Sequence, residues 1–379
     1  MKYLAILGRQ PEISIAELEA ANFCTDIDRL GGTQKLAVKL EQKPLEFLQS
    51  LPDGKITLGV SDYSKNASPR ATKTEALKLK QILVRHGRSV RVVESKTAAL
   101  STATSLHNGL SGKNPRKIEL INTDDGWYRT IGVQDIDAYT RRDQARPARD
   151  AKVGMLPPKL AQILINLCGP LPAGSRILDP FCGTGVILQE ALLMGYTAYG
   201  TDLSERMVEY TERNLKWLTE VENSHFEGFR SAAARDGTPT ARGDGPAGRD
   251  QRNGLFQLSV GDATSFQWDQ PIDAVACEGY LGAPMSQIPP EIKLKDQKHE
   301  CSAIILGFLK NLSSQIKSDT PVVIAAPAWL RSDGTYSRLN IIDEIENMGY
   351  NVKDISREGL LYHRDDQIVA RDIIILRKK

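Results

Sequence analysis

Apolar and polar positions follow different patterns on the two sides of residue 157 in this 379-residue chain. After residue 175, short apolar runs alternate with amphipathic segments of helical period. This order is typical of a mostly parallel, doubly wound sheet covered by helices. The last apolar runs, at 351–355 and 368–376, predict an antiparallel pair that ends the sheet. Residues 157–379 are therefore predicted to form one α/β domain.

The first fifty residues carry a shorter pattern of the same kind. Alternating apolar positions predict strands at 3–7 and 35–40. Between them, Ser14-Ile-Ala-Glu17 has the spacing of a capping box, which predicts the start of a helix. We therefore expect a small α/β domain over residues 1–50.

Residues 51–135 form a second predicted domain. A strand–helix–strand pattern is followed by another helix and by a hairpin around Asp124-Asp-Gly126. The predicted segments are 56–60, 72–86, 89–93, 100–110, 117–122 and 127–133. A basic linker, residues 136–156, then leads into the C-terminal domain.

Residues 221–254 interrupt the alternating pattern of the C-terminal half. This stretch has few large apolar residues and many Gly and Arg, so it cannot bury enough surface to form a core. We expect a disordered insertion here. Contact of its arginines with RNA is an alternative, but a tolerated surface loop is the favoured interpretation.

A glycine turn, Asp179-Pro-Phe-Cys-Gly-Thr-Gly185, stands between a predicted strand and a predicted helix. Gly183 and Gly185 carry no Cβ, so a ligand can approach the backbone closely. The next strand ends at Asp202, where a carboxylate can accept hydrogen bonds from both hydroxyls of a ribose. The pattern predicts a nucleoside site at the strand ends. A dinucleotide fingerprint needs a third glycine that is missing here, which favours S-adenosylmethionine.

Composition restricts the cellular compartment that we expect for the protein. No apolar run approaches the ~20 residues that span a bilayer. The segment Met1-Lys-Tyr-Leu-Ala-Ile-Leu-Gly-Arg9 is charged early and reads as a strand rather than a signal peptide. Five scattered cysteines without metal-binding spacing suit a reducing compartment. We expect a cytoplasmic protein with no membrane segment and no bound metal.

Positive charge is concentrated although the net charge is only +2. Residues 61–117 hold twelve Lys and Arg against three acidic residues. Such a block is expected of a protein that binds a phosphate backbone, although a solvated face explains the composition equally well. For the linker, a plain connection and a basic strap beside the site are equally good explanations. The candidate RNA contacts are Lys73, Lys78, Lys80, Arg85, Arg88, Arg141 and Arg142.

Two motifs resemble known families. The string Asp179–Gly185 resembles the first motif of S-adenosylmethionine-dependent methyltransferases that act on exocyclic amino groups of nucleic-acid bases. The linker, with Arg141-Arg-Asp, Arg146-Pro and Gly154-Met-Leu-Pro-Pro-Lys-Leu-Ala161, resembles the tRNA guanine-N2-methyltransferases that act at tRNA position 10. Except for the insertion, this second resemblance covers nearly the whole chain.

The resemblance implies an architecture and partners. Residues 51–135 resemble a THUMP domain, which is an RNA-binding module, and residues 1–50 the ferredoxin-like domain that precedes it. A Rossmann-like methyltransferase domain, with S-adenosylmethionine as cofactor and tRNA as partner, would then follow this α+β region.

The resemblance also implies cofactor contacts. The whole turn would line the cofactor, Asp202 would hold the ribose, and Asp262 would accept a hydrogen bond from the adenine amino group. Met155 and Pro157 would lie over the methionine end. The candidates are Asp179, Pro180, Phe181, Cys182, Gly183, Thr184, Gly185, Asp202, Leu203, Asp262, Ala263, Met155 and Pro157.

The catalytic motif departs from the family it resembles. Relatives carry an Asp, Asn or Ser, two prolines and an aromatic residue, where this chain has Glu278-Gly-Tyr280-Leu. By resemblance, Glu278 accepts hydrogen bonds from the target amine and Tyr280 stacks on the flipped base. Both prolines are missing.

Several functions therefore remain open. Methylation of guanine N2 in tRNA is preferred over methylation of adenine N6 in RNA or DNA. A catalytically impaired, cofactor-binding RNA-binding protein is the third reading. The target nucleotide, the number of methyl groups and a small activator subunit are left open by the sequence.

Overall fold

The computed structural model describes residues 1–150, 156–221, 254–364 and 367–379. The chain divides into two compact units, the first of Met1–Ser14 and Cys24–Thr140 and the second of Ile15–Phe23 and Arg141–Lys379. Met155 lies outside the described residues. So do residues 222–253 of the predicted insertion, and the expectations about them stay untested.

A six-stranded sheet forms the first unit, with strand order β1-β2-β6-β5-β3-β4. β3 runs parallel to β4 and β5, and the other neighbours are antiparallel. The strands are β1 (Tyr3–Leu7), β2 (Thr33–Lys39), β3 (Ile56–Asp62), β4 (Val90–Val92), β5 (Lys117–Thr123) and β6 (Gly126–Val133). The helices are α2 (Pro44–Gln49), α3 (Pro69–Arg85) and α4 (Thr102–His107). The divisions between the two units fall within α1 (Pro11–Ala20) and α5 (Ile136–Gln144).

The predicted boundary at residue 50 falls inside this sheet rather than between two domains. β2, from the first fifty residues, pairs with β6 from Lys35 opposite Val133 to Lys39 opposite Tyr128. The apolar pattern showed where strands form, but pairing between distant strands depends on edges that no local pattern identifies. The predicted linker differs as well, because its first residues form helix α5.

A buried ion pair joins the two parts of this unit. Lys35 Nζ donates to Glu119 Oε1 at 2.6 Å and to the Leu100 carbonyl oxygen at 2.8 Å. Glu119 also accepts hydrogen bonds from the hydroxyls of Ser61 and Ser105, each at 2.6 Å. Burial lowers the pKa of Lys35, and the Glu119 carboxylate opposes that shift. Removing one partner would leave the other charge buried without a counter-ion, which is costly.

Replacing Lys35 with methionine is expected to lower the free energy of unfolding by about 3–5 kcal/mol, because the buried Glu119 carboxylate loses its counter-ion. Chemical denaturation of the purified protein measures the change. Lys2→Met is the matched control, because Lys2 pairs with Asp125 at the surface. Equal losses in the two variants would contradict a special role for the buried pair.

The second unit contains the predicted doubly wound sheet. Its order is β13-β15-β11-β10-β7-β8-β9, with β12 beside β11 and β14 beside β15. β11, β10, β7, β8 and β9 are parallel, while β13 and β15 form the antiparallel end. The strands are β7 (Arg176–Asp179), β8 (Thr197–Asp202), β9 (Phe256–Val260), β10 (Ala274–Glu278), β11 (Pro321–Leu330), β12 (Tyr336–Ser337), β13 (Tyr350–Val352), β14 (Leu361–Tyr362) and β15 (Val369–Lys378). The predicted α/β fold of this half is confirmed.

Helices cover this sheet and hold its strand ends in place. They are α6 (Pro158–Leu167), α7 (Val186–Leu193), α8 (Glu205–Val221), α9 (Glu291–Leu312), α10 (Ile342–Asn347) and α11 (Asp354–Glu358). One apolar cluster joins α9 to β10, β11 and β15, with Phe308 and Ile324 fully buried. A second cluster joins α7 and α8 to β8 through Leu188 and Leu215. The carboxyl ends of β7, β8 and β10 are thereby fixed side by side.

Some predicted helix limits are wrong. Helix α1 begins at Pro11, so Ser14 lies inside it rather than at a capping box. The Ser14 hydroxyl donates instead to the carbonyl oxygen of Gly32 at 2.8 Å. Helix α9 begins at Glu291, directly after Pro290. A proline at the start of a helix is a local signal that the apolar period alone does not show.

Within residues 1–150, 156–221, 254–364 and 367–379, no helix has the length and apolar character to cross a membrane. In the same ranges, no group of three or more His, Cys, Asp or Glu side chains is placed to hold a metal ion.

Candidate active site

The glycine turn after β7 has an open face. Gly183 has φ +51° and Gly185 has φ +81°, a region that glycine adopts readily. A Cβ at Gly185 would lie 2.8 Å from Thr211 Cγ2, so packing requires glycine there. A Cβ at Gly183 would meet no atom closer than 3.9 Å, so this position faces open space. The turn thus has room for a ligand at Gly183, which fits the predicted nucleoside cofactor.

Asp202 is held against this turn. Its Oδ2 accepts a hydrogen bond from the Gly183 amide at 2.9 Å, and its Oδ1 accepts one from the Ser204 amide at 2.9 Å. Burial raises the pKa of Asp202, while these two amides oppose the rise. Each carboxylate oxygen has a second lone pair, so the side chain can still accept hydrogen bonds from a ribose.

Three carboxyl groups come together at the ends of β7, β8 and β10. Asp179 is buried, and its Oδ1 accepts a hydrogen bond from the Phe181 amide at 3.2 Å. Burial raises the pKa of Asp179 well above its usual range, and the charges of Asp202 and Glu278 add to the rise. The structure therefore places Asp202 and Glu278 around Asp179, as expected for residues at one edge of a parallel sheet.

Not all side chains of the turn face a ligand. The Cys182 thiol is buried within the α7–α8 cluster, where it accepts a hydrogen bond from the Thr211 hydroxyl at 3.7 Å. The Thr184 side chain is buried too. The backbone carbonyl oxygen of Thr184 accepts a hydrogen bond from the Asn214 side chain at 2.8 Å. Phe181 packs edge-on against Phe308, with ring centroids 5.3 Å apart. The buried Cys182 and Thr184 side chains therefore stabilise the turn rather than face its open side.

The ends of β8 and β9 supply the other predicted cofactor residues. Leu203 is 74% exposed directly after Asp202. Asp262 Oδ1 accepts hydrogen bonds from the amide and the hydroxyl of Thr264 at 2.9 and 2.7 Å, which lower the pKa of Asp262. Ala263 is buried, and its carbonyl oxygen accepts a hydrogen bond from Asn311. These residues lie at the same edge as the turn, since Asp202 pairs with Val260.

Glu278 is the last residue of β10 and has an unpredicted partner. Arg371 Nε of β15 donates to Glu278 Oε1 at 2.8 Å. The Glu278 and Arg371 side chains are 15% and 6% exposed. Within the apolar run of β15, Arg371 is followed by Asp372. Two charged residues in an apolar strand were the sequence signal that could have indicated this contact.

Tyr280, two residues after Glu278, is 36% exposed. Burial raises the pKa of Tyr280, and the charge of Glu300 adds to the rise. The ring of Tyr280 is thus partly open to solvent.

The linker is anchored to the same region, which changes the role of one predicted RNA contact. Arg142 Nε and Nη2 donate to Oε1 and Oε2 of the buried Glu190 at 2.6 and 3.2 Å. The Ala148 amide donates to Asn214, whose side chain also holds the Thr184 carbonyl. Arg142 is therefore engaged within the second unit, whereas Arg141 is exposed. Pro157 precedes α6 and is half-buried.

The predicted RNA contacts of the first unit fall into two groups. Arg88 donates to the carbonyl oxygens of Leu51 and Pro52 at 3.1 and 2.7 Å, so its role is structural. The remaining candidates lie on α3. Lys73, Lys78 and Arg85 are exposed and Lys80 is half-buried. Lys73 and Lys78 make only surface ion pairs, with Glu94 and Glu75.

Comparison with known families connects this geometry to a reaction class. Residues 146–278 match the UPF0020 family, described as an RMKL-like methyltransferase domain. The match runs from the linker through the turn, Asp202 and Asp262 to Glu278. Residues 146–278 are therefore similar in sequence to a methyltransferase domain. This match and the open face of the turn at Gly183 together support S-adenosylmethionine as the cofactor.

Curated relatives named as tRNA methyltransferases match parts of this chain. A tRNA (guanine(10)-N2)-dimethyltransferase from Methanothermobacter thermautotrophicus is 53% identical over 99 residues, which is 23% of this chain and 29% of the relative. One from Pyrococcus abyssi is 48% identical over 62 residues, 16% of this chain and 18% of the relative. The chain thus covers less than a third of the length of either relative.

A solved structure aligns with far more of this chain, at lower similarity. TrmN from Thermus thermophilus aligns with 92% of this chain and 84% of its own length, at 16% identity and a TM-score of 0.40. That degree of likeness supports no inference about function.

Replacing Gly183 with alanine is expected to weaken S-adenosylmethionine binding by about tenfold or more, because the new Cβ would occupy the open face of the turn. Titration calorimetry measures the affinity. Gly185→Ala is the matched comparison, and its main effect should be a lower melting temperature, because its Cβ would collide with Thr211. Normal cofactor affinity in the Gly183 variant would show that the open face is not the ligand site.

Proposed function

We propose that this chain is an S-adenosylmethionine-dependent methyltransferase that modifies the exocyclic N2 amine of guanine in tRNA. The match of residues 146–278 to a methyltransferase domain carries this proposal. The substrate follows from the relatives named tRNA (guanine(10)-N2)-dimethyltransferases, which also make position 10 the proposed target.

The proposed chemistry depends on how the amine is held. The N2 lone pair is delocalised into the guanine ring, so the amine is a poor nucleophile. Hydrogen bonds that orient this lone pair are therefore the main contribution of the protein. In the proposal, Glu278 accepts a hydrogen bond from an N–H group of the amine, and Tyr280 stacks on the extruded base. When bound, S-adenosylmethionine supplies the electrophilic methyl group. The amine proton passes to Glu278 or to water.

The proposed cofactor contacts follow from the open turn. Asp202 would accept hydrogen bonds from the ribose hydroxyls, beside the open face of Gly183. Asp262 would accept one from the adenine amino group. Leu203, which is exposed at the same strand ends, would contact the base, and Pro157 the methionine end.

The first unit is proposed to bind the tRNA. A THUMP-type role for residues 51–135, with a ferredoxin-like lead segment, is supported by the exposed basic residues of α3. A cytoplasmic location belongs to the same proposal. It rests on tRNA as the substrate and on five free cysteines.

The decisive experiment incubates the protein with unmodified tRNA and methyl-labelled S-adenosylmethionine. Digestion and exact mass of the labelled nucleoside then identify the product, and N2-methylguanosine is expected. Labelled N6-methyladenosine would instead support the adenine alternative. Tight tRNA binding without any incorporation would refute the enzymatic function and leave an RNA-binding protein.

Neutralising Lys78, Lys80 and Arg85 together with alanine is expected to weaken tRNA binding. Three lost phosphate contacts would reduce the slope of log K against log salt by about 2–3. Binding titrations at several salt concentrations measure the slope. A triple alanine variant of Lys310, Lys317 and Lys353, which are exposed on the second unit, is the charge-matched control. Equal slopes for the two triple variants would place the RNA elsewhere.

A further inference from the structure

The catalytic loop after β10 is held in place without the two prolines of the related motif. The Gly279 amide donates to the Ala325 carbonyl oxygen of β11 at 3.0 Å. Further along, the Ala283 amide donates to Gln297 Oε1 of α9 at 2.7 Å. The loop is thus tied to a strand at its start and to a helix at its end.

Arg371 holds the side chain at the start of this loop. Glutamate has one more rotatable bond than aspartate, so its carboxylate samples more positions unless something fixes it. The Arg371 guanidinium fixes Oε1 by a charge-assisted hydrogen bond and is itself bonded to Gln367 Oε1 at 3.1 Å. Glu278 Oε2 remains as the oxygen that would meet the amine.

A contribution to stability does not by itself explain the ion pair between Arg371 and Glu278. Taking two charges out of water costs about as much as their attraction returns, so a buried ion pair is weak evidence for a stabilising role. The pair also sits at the carboxyl end of β10, where Glu278 lies close enough to influence Asp179 of the cofactor turn. Its position therefore favours a role in orienting Glu278.

We propose that Arg371 and Gln297 are positioning residues for the methyl transfer. Arg371 orients the Glu278 carboxylate, and Gln297 fixes the loop that carries Tyr280. Together they replace the rigidity that prolines give to the related motif. This inference rests on the proposed function, because the target of Glu278 is the amine of that reaction.

The test compares Arg371→Met and Gln297→Ala with the full-length wild type. Arg371→Met is expected to lower kcat by about a hundredfold, as for a misplaced reacting group, with an unchanged Kd for S-adenosylmethionine. Arg371→Lys, which keeps the charge, should recover part of the loss. In a Glu278→Ala background, Arg371→Met should cause no further loss. Additive losses in that background would overturn the positioning role and indicate a structural one.

A second measurement does not depend on activity. Amide hydrogen exchange of residues 279–283 is expected to increase in both Arg371→Met and Gln297→Ala, while exchange in β7 stays as in the wild type. Unchanged exchange in the loop would overturn the inference. If the wild type fails to methylate tRNA although the exchange increases as expected, the proposed function fails and the positioning of the loop stands. Gln297 is only half-buried, so its variant tests the loop even if Arg371→Met does not fold.

Discussion

Replacing Asp202 with alanine is expected to weaken binding of S-adenosylmethionine by about a hundredfold, which corresponds to about 2.7 kcal/mol. The variant loses the acceptor for the ribose hydroxyls. It also leaves the Gly183 amide without the Asp202 oxygen that holds it at 2.9 Å. Titration calorimetry measures the affinity, and thermal unfolding of the same samples shows whether the fold is intact.

Two further variants test whether the charge of Asp202 and its position in the site each matter for cofactor binding. Asp202→Asn keeps one acceptor oxygen and should bind the cofactor with intermediate affinity. Asp269→Ala removes an exposed aspartate that accepts hydrogen bonds from Tyr199 and Gln257, and it should leave the affinity unchanged. Wild-type affinity in Asp202→Ala would refute the ribose role.

Replacing Glu278 with glutamine is expected to lower kcat by about 10²–10³-fold, the usual loss when one group that stabilises the transition state is removed. A neutral amide is a weaker acceptor than a carboxylate. It also loses the charge-assisted hydrogen bond from Arg371, so the side chain is less well oriented. Binding of S-adenosylmethionine and of tRNA should stay close to wild type, and single-turnover methylation measures the chemical step.

Controls for Glu278→Gln address its charge and its length. Glu278→Asp restores an acid found in the related motif, but it shortens the reach to Arg371, so an intermediate rate is expected. Glu291→Gln removes an exposed glutamate that pairs with Arg331 and should leave the rate unchanged. A Glu278→Gln enzyme as fast as the wild type would show that the amine is held by another group.

Local patterns predicted much of the catalytic half. Strand β7 and helix α7 lie on the two sides of the glycine turn as predicted, and strand β8 ends at Asp202. Apolar periodicity predicts the strands and helices, and the paired glycines predict the turn between them. The turn and Asp202 were located because parallel strands end at one edge of a sheet, where ligands bind, and Glu278 was located by resemblance to a known motif. Each of these signals lies within a short stretch of the chain.

Contacts between distant segments were not predictable in the same way. Arg371 lies 93 positions from Glu278, and Arg142 lies 48 positions from Glu190. Either arginine, read alone, is a charged residue with no assigned partner. Both were understood only when strand order and helix packing brought an acid within hydrogen-bonding distance. The same reason explains Arg88, which was predicted to contact RNA and instead holds two carbonyl oxygens.

Residue types and spacings were enough to predict the doubly wound sheet, the glycine turn after β7 and the candidate acid Glu278. Each depends on residue types and spacings that act locally. The pairing of β2 with the sheet of residues 51–135 became clear from the three-dimensional structure alone. The same is true of the hydrogen bond from Arg371 to Glu278. These depend on strand pairing and register, which are set by the burial of whole faces rather than by any one segment.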